Sequence, residues 1–367
     1  MKITAVRVYQ MDLPYVGGRY DWGPGCSLEV ARTTVVVLET DSGLEGCGES
    51  CPLGATYLAA HAPGIIAAAP TLARAVIGLD PLQTGVVDEA MDMALKGHGY
   101  AKSAFDAACW DILGKAVGLP VSSLLGGRLT DGAPMYRVVP QKPLEASIEE
   151  MESHRQAGYR QFQIKVGQDP DSDIERIRAI AGLLRPGETA FADANTAYSV
   201  RDAVRVVRAV RDVDVVVEQP CLTYDECLQV RSRCDHPMKL DECVTGLDVA
   251  ARIVADRSAE VVCLKISNLG GLTKSRRVRD FLVAHGIDVV CEDTWGGEIC
   301  TAACAHFAAS TPAAFQLSTT DLHNYNTTAS GTPPPRVAEG RLFASDTPGL
   351  GVEPDYDSLG RPVAVFP

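Results

Sequence analysis

Segments long enough to cross a membrane are missing from this sequence. Hydrophobic residues make up 46% of its 367 positions, but the longest mainly apolar stretch, residues 64–79, is interrupted by Pro70 and Arg74. A membrane-spanning helix needs about 18 or more consecutive apolar residues. The opening residues, MKITAVRVYQMDLP, alternate as in a β-strand and do not resemble a secretory leader. We therefore expect no membrane association and a cytoplasmic location.

Basic residues are also in short supply. The chain has 34 lysines and arginines against 47 aspartates and glutamates, so its formal net charge is -13 at pH 7. A negative surface repels the phosphates of nucleic acids and of anionic lipids. This balance predicts no nucleic-acid partner and favours a small-molecule ligand or a cation.

Several chemical motifs are absent as well. We find no GxGxxG or P-loop for phosphate binding, and no paired, closely spaced cysteines of a structural zinc site. Most of the 12 cysteines stand singly, and Cys263 and Cys291 lie inside apolar runs. This setting is typical of reduced, buried cysteines.

The first part of the chain, residues 1–125, is predicted to be an α+β domain. Its β-branched runs flank a DSG turn, which indicates a hairpin, and residues 99–120 have the apolar spacing of a helix. Residues 17–25, GGRYDWGPG, contain four glycines and a proline. We expect this segment to be a mobile loop instead of a strand.

A repeating pattern follows. Eight short apolar runs end in polar or charged residues, and helical stretches separate them. The runs cover residues 133–139, 159–166, 189–195, 213–220, 237–242, 260–267, 287–293 and 313–322. From the second run onward their terminal charges recur every 23 to 28 residues, which is the length of one βα unit. We predict a TIM-type (β/α) barrel over residues 126–335 and a tail, 336–367, that returns to the first domain.

Three carboxylates end successive runs: Asp193, Glu218 and Asp241. Parallel barrel strands all end at one face, so these side chains are expected to converge there. Carboxylate oxygens are the ligands that Mg²⁺ prefers, with water and substrate oxygens completing an octahedron. The alternative is that each acid only caps the helix that follows it.

Two lysines flank these acids in the same pattern. Lys165 ends the run before the trio and Lys265 the run after it, on opposite sides of a closed barrel. A lysine that is partly buried near a cation has a lowered pKa and can act as a general base. Two such lysines could move protons on both faces of the α-carbon of a carboxylate substrate. The alternative is a pair of surface or ion-paired lysines.

The order of these residues resembles that of the enolase superfamily, in the branch of mandelate racemase and muconate lactonising enzyme. The resemblance rests on the second-run lysine, then DAN, EQP, DE and KISNLGG, and on AFDAACWDILGKAVGLPVSSLLGG in the first domain. It implies a modified, enolase-like barrel with an α+β capping domain that the C-terminal tail completes. It also implies one Mg²⁺ held by Asp193, Glu218 and Asp241, with Lys165 and Lys265 as the acid/base pair.

One position departs from the family pattern. The second run usually contains Lys-x-Lys, but here it contains Gln163 and Lys165. A neutral amide can donate only hydrogen bonds to a substrate carboxylate. We expect Gln163 to bind substrate, and Lys165 to depend more on burial, Mg²⁺ and Lys265 for a perturbed pKa.

Finer motifs, among them EQPCLTYDE, CEDTWGGEICTAACAHFA and STTDLHNYNT, are similar to those of superfamily enzymes that act on proline derivatives. The resemblance implies a lyase that dehydrates cis-3-hydroxy-L-proline to Δ1-pyrroline-2-carboxylate. A 2-epimerase of proline or of hydroxyproline betaine, using the same lysines, is the alternative. Dehydration of an acid sugar and a non-catalytic barrel are further alternatives.

A proline-like substrate carries a ring ammonium that needs an anion or an aromatic face. Asp293 and Asp321, at the ends of the last two runs, are candidates for the anion. Trp295, Tyr20 and Trp22 could provide cation–π contacts and close the site. The alternative is that Asp293 caps a helix and Trp295 belongs to the core.

Two further polar residues adjoin the predicted metal ligands. Asn195 and Glu242 are expected to support the ligands and not to bind the ion themselves. The resemblance also implies a homo-oligomer, either a dimer or an octamer.

Overall fold

The eight apolar runs form eight parallel strands, arranged in chain order, in the computed structural model, which describes residues 1–23 and 25–367. The strands are Tyr136–Val139, Gln161–Lys165, Thr189–Asp193, Val216–Glu218, Met238–Leu240, Val261–Lys265, Asp288–Glu292 and Gln316–Ser318. A parallel bridge between Met135 and Thr319 joins the first strand to the eighth. The predicted barrel is confirmed.

Helices cover the outside of the barrel. Those of eight or more residues are Leu144–Gln156, Pro170–Ala181, Val200–Ala209, Tyr224–Arg231, Leu247–Asp256, Leu272–Ala284 and Glu298–Ala309. The 3₁₀-helix Leu322–Tyr325 follows the eighth strand. Several begin at the capping side chain that the sequence offers there: Asp169 accepts from the Ser172 N–H, and Thr223 forms a capping box with Glu226. Apolar faces of these helices and the barrel strands share one large buried core.

The capping domain contains strands and helices. Its strands are Ile3–Pro14, Tyr20–Gly23, Cys26–Leu28, Val30–Thr40 and Glu45–Ser50. Its helices are Ala62–Val76, Thr84–Ala94, Gly99–Val117 and Val121–Leu124. The predicted hairpin is present, since Val30–Thr40 pairs antiparallel with Glu45–Ser50. Gly48 lets this hairpin lie directly against helix Gly99–Val117, because a Cβ there would be 2.0 Å from the Ala104 carbonyl oxygen.

The glycine-rich segment 17–25 differs from the expectation of a mobile loop. Tyr20–Gly23 is a strand that pairs with Cys26–Leu28, and the side chains of Tyr20 and Trp22 are buried. The two rings pack with Trp295 of the barrel in a separate apolar cluster. These long-range contacts outweigh the poor strand propensity of the glycines. Pro24, in the same segment, lies outside the described residues.

The tail contacts both parts of the molecule. Ala364–Phe366 pairs antiparallel with Ile3–Pro14 in the capping sheet. Upstream, Arg341–Phe343 pairs with Arg336–Ala338 and with Ala133–Pro134 beside the barrel. The remaining short elements are strands Gly331–Thr332 and Glu353–Pro354 and helices Ile266–Leu269 and Tyr356–Leu359. Across the described ranges, no helix combines the length and apolarity needed to span a bilayer.

Candidate active site

A cavity lies at the carboxyl ends of the barrel strands, where the capping domain covers the barrel. The capping domain contributes Tyr20, Trp22, Leu53 and Tyr57 to its wall. Ten of the thirteen site residues that we predicted from the sequence line this cavity: Tyr20, Trp22, Gln163, Lys165, Asp193, Asn195, Asp241, Lys265, Asp293 and Trp295. Convergence of strand ends from distant parts of the chain is what the barrel topology produces.

Each predicted metal ligand is paired with a buried lysine. Lys165 Nζ lies 2.6 Å from Asp193 Oδ2, and Lys265 Nζ contacts both oxygens of Asp241. The third pair was not foreseen: Lys239 Nζ lies 2.7 Å from Glu218 Oε1, and both side chains are fully buried. Lys239 is two residues before Asp241 on a strand, so alternation directs both side chains into the barrel.

The pKa of Glu218 reflects how close the three acids lie to one another. Burial, followed by repulsion from Asp193 and then from Asp241, raises the pKa of Glu218 to about 7 against the attraction of Lys239. Gln163 Nε2 lies 3.1 Å from each Glu218 oxygen and can donate to both. Three mutually repelling carboxylates at adjacent strand ends are a donor set that fits a divalent cation with a preference for oxygen.

A second group of side chains also has metal-ligand spacing. Ligand atoms of Asp241, Cys263 and Glu292 all lie within 4.8 Å of one another. Burial, then the charges of Asp241 and Glu292, raises the pKa of the Cys263 thiol well above its usual range. A protonated thiol is a poor ligand, since metals bind the thiolate. The carboxylate trio therefore fits Mg²⁺ better than this group does.

The pKa values of the lysines differ from the expectation of a downward shift. Burial is the largest single effect and lowers the pKa of Lys165 and of Lys265, but the combined attraction of several neighbouring groups, led by Asp193 for the first and Asp241 for the second, outweighs it. Both pKa values lie above the ordinary range of lysine. The reason is that the nearest charge to each ammonium is a carboxylate and not a cation.

Asn195 and Glu242 connect the metal-ligand candidates to a lysine. Asn195 Oδ1 accepts a hydrogen bond from Lys165 Nζ at 2.8 Å, and Asn195 Nδ2 donates to Glu242 Oε1 at 2.9 Å. The Asn195 backbone N–H also donates to Asp193 Oδ1. Burial, then the charge of Asp241, raises the pKa of Glu242 to about 8. Glu242 itself is not part of the cavity wall.

The residues predicted to bind the ring ammonium of the substrate lie in two different places. Asp293 lines the cavity and accepts hydrogen bonds from Ser267 and from the Thr294 N–H, while burial raises its pKa to about 6. Beside it, the rings of Trp295 and Tyr20 lie 5.3 Å apart. The structure does not bring Asp321 to this cavity.

Asp321 is held elsewhere by a partner that the sequence did not reveal. Arg137, on the first strand, lies 2.9 Å from Asp321 Oδ2, and Tyr159 and Asn324 donate to the same oxygen. The Arg137 guanidinium also lies 4.7 Å from the centre of the Tyr325 ring. Asp321 therefore neutralises a buried arginine beside the barrel instead of facing a ligand.

Sequence reasoning missed Lys239, Glu292, Tyr57 and Tyr136. Glu292 and Tyr57 line the cavity, and the Tyr57 hydroxyl donates to Asp241 Oδ2 at 3.3 Å. Glu292 is the last residue of the seventh strand and is paired in register with Lys265 of the sixth. Alignment of the two runs at their ends was the signal that could have identified it, because neighbouring parallel strands present such residues side by side.

Family models match both parts of the chain. A model described as the enolase C-terminal domain-like family matches residues 146–358, and one described as the mandelate racemase/muconate lactonizing enzyme N-terminal domain matches residues 26–126. The chain belongs to the enolase superfamily. The family membership and the type of fold predicted from the sequence are thus confirmed.

Full-length relatives within the superfamily carry several activities. The chain is 47% identical over 366 residues to a cis-3-hydroxy-L-proline dehydratase of Roseibium aggregatum, and the match covers 100% of both chains. It is 27% identical over 371 residues to an N-succinyl-L-Arg/Lys racemase of Bacillus cereus, covering 98% of this chain and 97% of the relative. The prediction of an enolase-superfamily enzyme is confirmed, with a dehydratase among its relatives.

Solved structures of superfamily members superpose closely. A mandelate racemase/muconate lactonizing enzyme from Roseovarius nubinhibens has a TM-score of 0.97 and 59% identity, covering 100% of this chain and 98% of the other. Another protein from this organism, described as a putative member of the same family complexed with magnesium, has a TM-score of 0.95 and 36% identity, with both chains covered completely.

Proposed function

We propose that this enolase-superfamily enzyme dehydrates cis-3-hydroxy-L-proline to Δ1-pyrroline-2-carboxylate with the help of one Mg²⁺. The observation that carries the proposal is the placement of Lys165 and Lys265 in one cavity, on the second and sixth of eight strands. Strands four apart in a ring of eight face each other, so the two ammonium groups approach a bound substrate from opposite sides. The dehydratase of Roseibium aggregatum, similar over its whole length, supports the choice of substrate.

Asp193, Glu218 and Asp241 would hold the Mg²⁺. The ion would supply positive charge that stabilises the negative charge developing on the substrate carboxylate after proton loss. Gln163 and Lys239 fix the Glu218 carboxylate from the side of the barrel interior. Asn195 and Glu242 continue this support around Asp193 and Lys165.

The stereochemistry of the substrate matches the two lysines. In cis-3-hydroxy-L-proline the hydroxyl and the carboxylate share one face of the ring, so the α-hydrogen lies on the face opposite to the hydroxyl. Lys165 would remove the α-proton as the neutral amine, a form that requires Mg²⁺ to offset the Asp193 charge that raises its pKa. Lys265, as the ammonium, protonates the departing hydroxyl from the other side. The enamine that forms tautomerises to the cyclic imine. Elimination is therefore anti.

Charge and aromatic surface at the rest of the cavity suit a cyclic ammonium. Asp293 provides a buried carboxylate, and Trp295, Tyr20 and Trp22 surround the same space with aromatic rings. A cation held against such rings gains up to about 2 kcal/mol when it is desolvated. We also expect a homo-oligomer, a dimer or an octamer, in the cytoplasm.

Epimerisation at the α-carbon is the second candidate function. Two lysines on opposite faces can remove a proton on one side and return it on the other, and the Bacillus cereus racemase is similar to this chain over nearly its whole length. Proline or hydroxyproline betaine without a 3-hydroxyl would react in this way. The choice between the two functions depends on whether the substrate has a leaving group at C3.

Incubation of the purified protein with cis-3-hydroxy-L-proline and Mg²⁺ tests the proposal. We expect the imine acid to accumulate, measured by its adduct with o-aminobenzaldehyde or by NMR. If no product forms, while L-proline or its betaine exchanges the α-hydrogen for deuterium and changes configuration, the enzyme is an epimerase instead.

A further inference from the structure

We propose that Glu292 recognises the 3-hydroxyl group of the substrate and holds Lys265 in position to protonate it. This inference rests on the proposed dehydration and adds a specificity-determining residue to it. Glu292 ends the seventh barrel strand, directly beside Lys265 at the end of the sixth. Its side chain is 96% buried, at 4% exposure, and lines the cavity.

The two carboxylate oxygens of Glu292 have different surroundings. Oε1 lies 3.2 Å from Lys265 Nζ. Oε2 is buried and accepts no hydrogen bond from any residue that the structure describes. A buried carboxylate oxygen without a donor has lost its hydrogen bonds to water without replacement, which is unfavourable. A ligand that brings a donor to Oε2 recovers this energy.

The substrate has two kinds of donor that could meet Oε2: the ring ammonium and the 3-hydroxyl. Asp293 is available for the ammonium, on the same cavity wall. The hydroxyl must lie against Lys265 in order to be protonated, and Glu292 is the carboxylate adjacent to Lys265 that is not a proposed metal ligand. A hydroxyl in that place can donate its hydrogen to Oε2 while its oxygen lone pair faces Lys265 Nζ.

The step balances with the groups present. Lys165 takes the α-hydrogen as a proton and leaves the C–H electron pair on the substrate as a carbanion stabilised by the carboxylate. That electron pair then forms the C2–C3 double bond as the C3–O bond breaks. The C–O electron pair leaves with the hydroxyl oxygen, which takes one proton from the Lys265 ammonium and departs as water. Glu292 neither donates nor accepts a proton. It orients the hydroxyl and the ammonium toward each other.

The deciding experiment follows two reactions of cis-3-hydroxy-L-proline in D₂O with Mg²⁺. One is formation of the imine acid, and the other is entry of deuterium at the α-carbon of unreacted substrate. We expect Glu292→Gln to slow imine formation by about 100-fold or more. This is the lower end of the contribution of general acid catalysis, which is impaired when Lys265 and the hydroxyl are no longer aligned. Deuterium should now enter unreacted substrate, because Lys165 still removes the α-proton and the carbanion is reprotonated.

The neighbouring carboxylate provides a matched control. Asp293→Asn should slow imine formation without deuterium entering unreacted substrate, since proton removal and elimination both need the bound ammonium. Glu292→Asp, which keeps the charge but shortens the side chain, should restore part of the imine formation. Glu292→Asp also replaces Glu292→Gln as the test variant if thermal unfolding shows that Glu292→Gln does not fold.

Three results would overturn the inference. They are unchanged imine formation in Glu292→Gln, a loss of imine formation in Glu292→Gln without deuterium entry, or a tenfold or greater loss of its Mg²⁺ affinity in calorimetry without substrate. The last would make Glu292 a metal ligand together with Asp241. Absence of imine formation in the unaltered enzyme would instead refute the proposed dehydration.

Discussion

Replacement of Asp106 by asparagine should change how the stability of this protein depends on pH. Asp106 lies on capping helix Gly99–Val117 and accepts hydrogen bonds from the backbone N–H and the hydroxyl of Thr273, on the barrel helix that follows the Lys265 loop. Burial, opposed by the Thr273 hydrogen bonds and assisted by the charge of Asp88, raises the pKa of Asp106 to about 7.

The magnitude follows from proton linkage. In the unfolded chain an aspartate has a pKa of about 3.9, so the folded protein binds the Asp106 proton more tightly than the unfolded chain does. Stability from this group is therefore complete below about pH 4 and is lost as the pH rises toward 7. Between pH 5 and pH 8 the loss amounts to roughly 2–3 kcal/mol of unfolding free energy. Asparagine does not titrate, so Asp106→Asn lacks this loss.

Urea unfolding at pH 5, 6, 7 and 8, followed by circular dichroism, measures the effect as a difference between the variant and the unaltered protein. Relative to the unaltered protein, Asp106→Asn should gain stability steadily with pH. Asp92→Asn is the matched control: burial favours a higher pKa of Asp92, but ion pairs with Lys102 and Lys274 outweigh it and lower the pKa. Asp92 is therefore ionised in both the folded and the unfolded state from pH 5 to pH 8, and the stability difference for this variant should stay constant over that range. A stability difference for Asp106→Asn that stays constant from pH 5 to pH 8 would refute this reasoning.

Other predictions concern the site and the domain contact. Lys265→Ala should reduce imine formation by about 100-fold or more, because it removes the proposed acid for the leaving hydroxyl; full turnover, measured by NMR, would contradict the two-lysine scheme. Glu218→Gln should weaken Mg²⁺ binding by at least about tenfold in calorimetry, through loss of one anionic ligand, whereas unchanged affinity would exclude Glu218 as a ligand. Gly48→Ala should cost about 1–3 kcal/mol of unfolding free energy, since its Cβ would overlap the Ala104 carbonyl. Gly85→Ala, where a Cβ meets nothing closer than 3.9 Å, is its control and should be nearly neutral or stabilising; equal effects would contradict the packing argument.

Most of the barrel could be predicted because its signal is local and repeated. Each strand is a short apolar run, and each run ends at a polar residue where the barrel opens to the cavity. Asp193 and Lys265 are strand-end residues of this kind, and the structure brings both to the cavity wall. Parallel strands share one direction, so position along the run was sufficient to place these side chains at the same face.

Position along a run was not sufficient for Asp321. Both acids stand at the ends of apolar runs, but Asp293 directly follows its strand, whereas Asp321 comes three residues after Ser318, the end of the eighth strand. Asp321 lies against Arg137, and Asp293 lines the cavity. The two acids differ in what the neighbouring strands present to them. Ring closure places the first strand beside the eighth, and a sequence pattern does not reveal which side chain an adjacent strand will offer.

The strand-end residues and the order of the barrel units could be read from the chain, because they depend on local periodicity. Only the folded structure decided which charges are neighbours. It paired Glu218 with Lys239, placed Glu292 against Lys265 and buried Tyr20 and Trp22 of a glycine-rich segment in an apolar cluster with Trp295 of the barrel. These contacts join residues far apart in the chain, and their energies depend on distance and burial, which are properties of the tertiary structure alone.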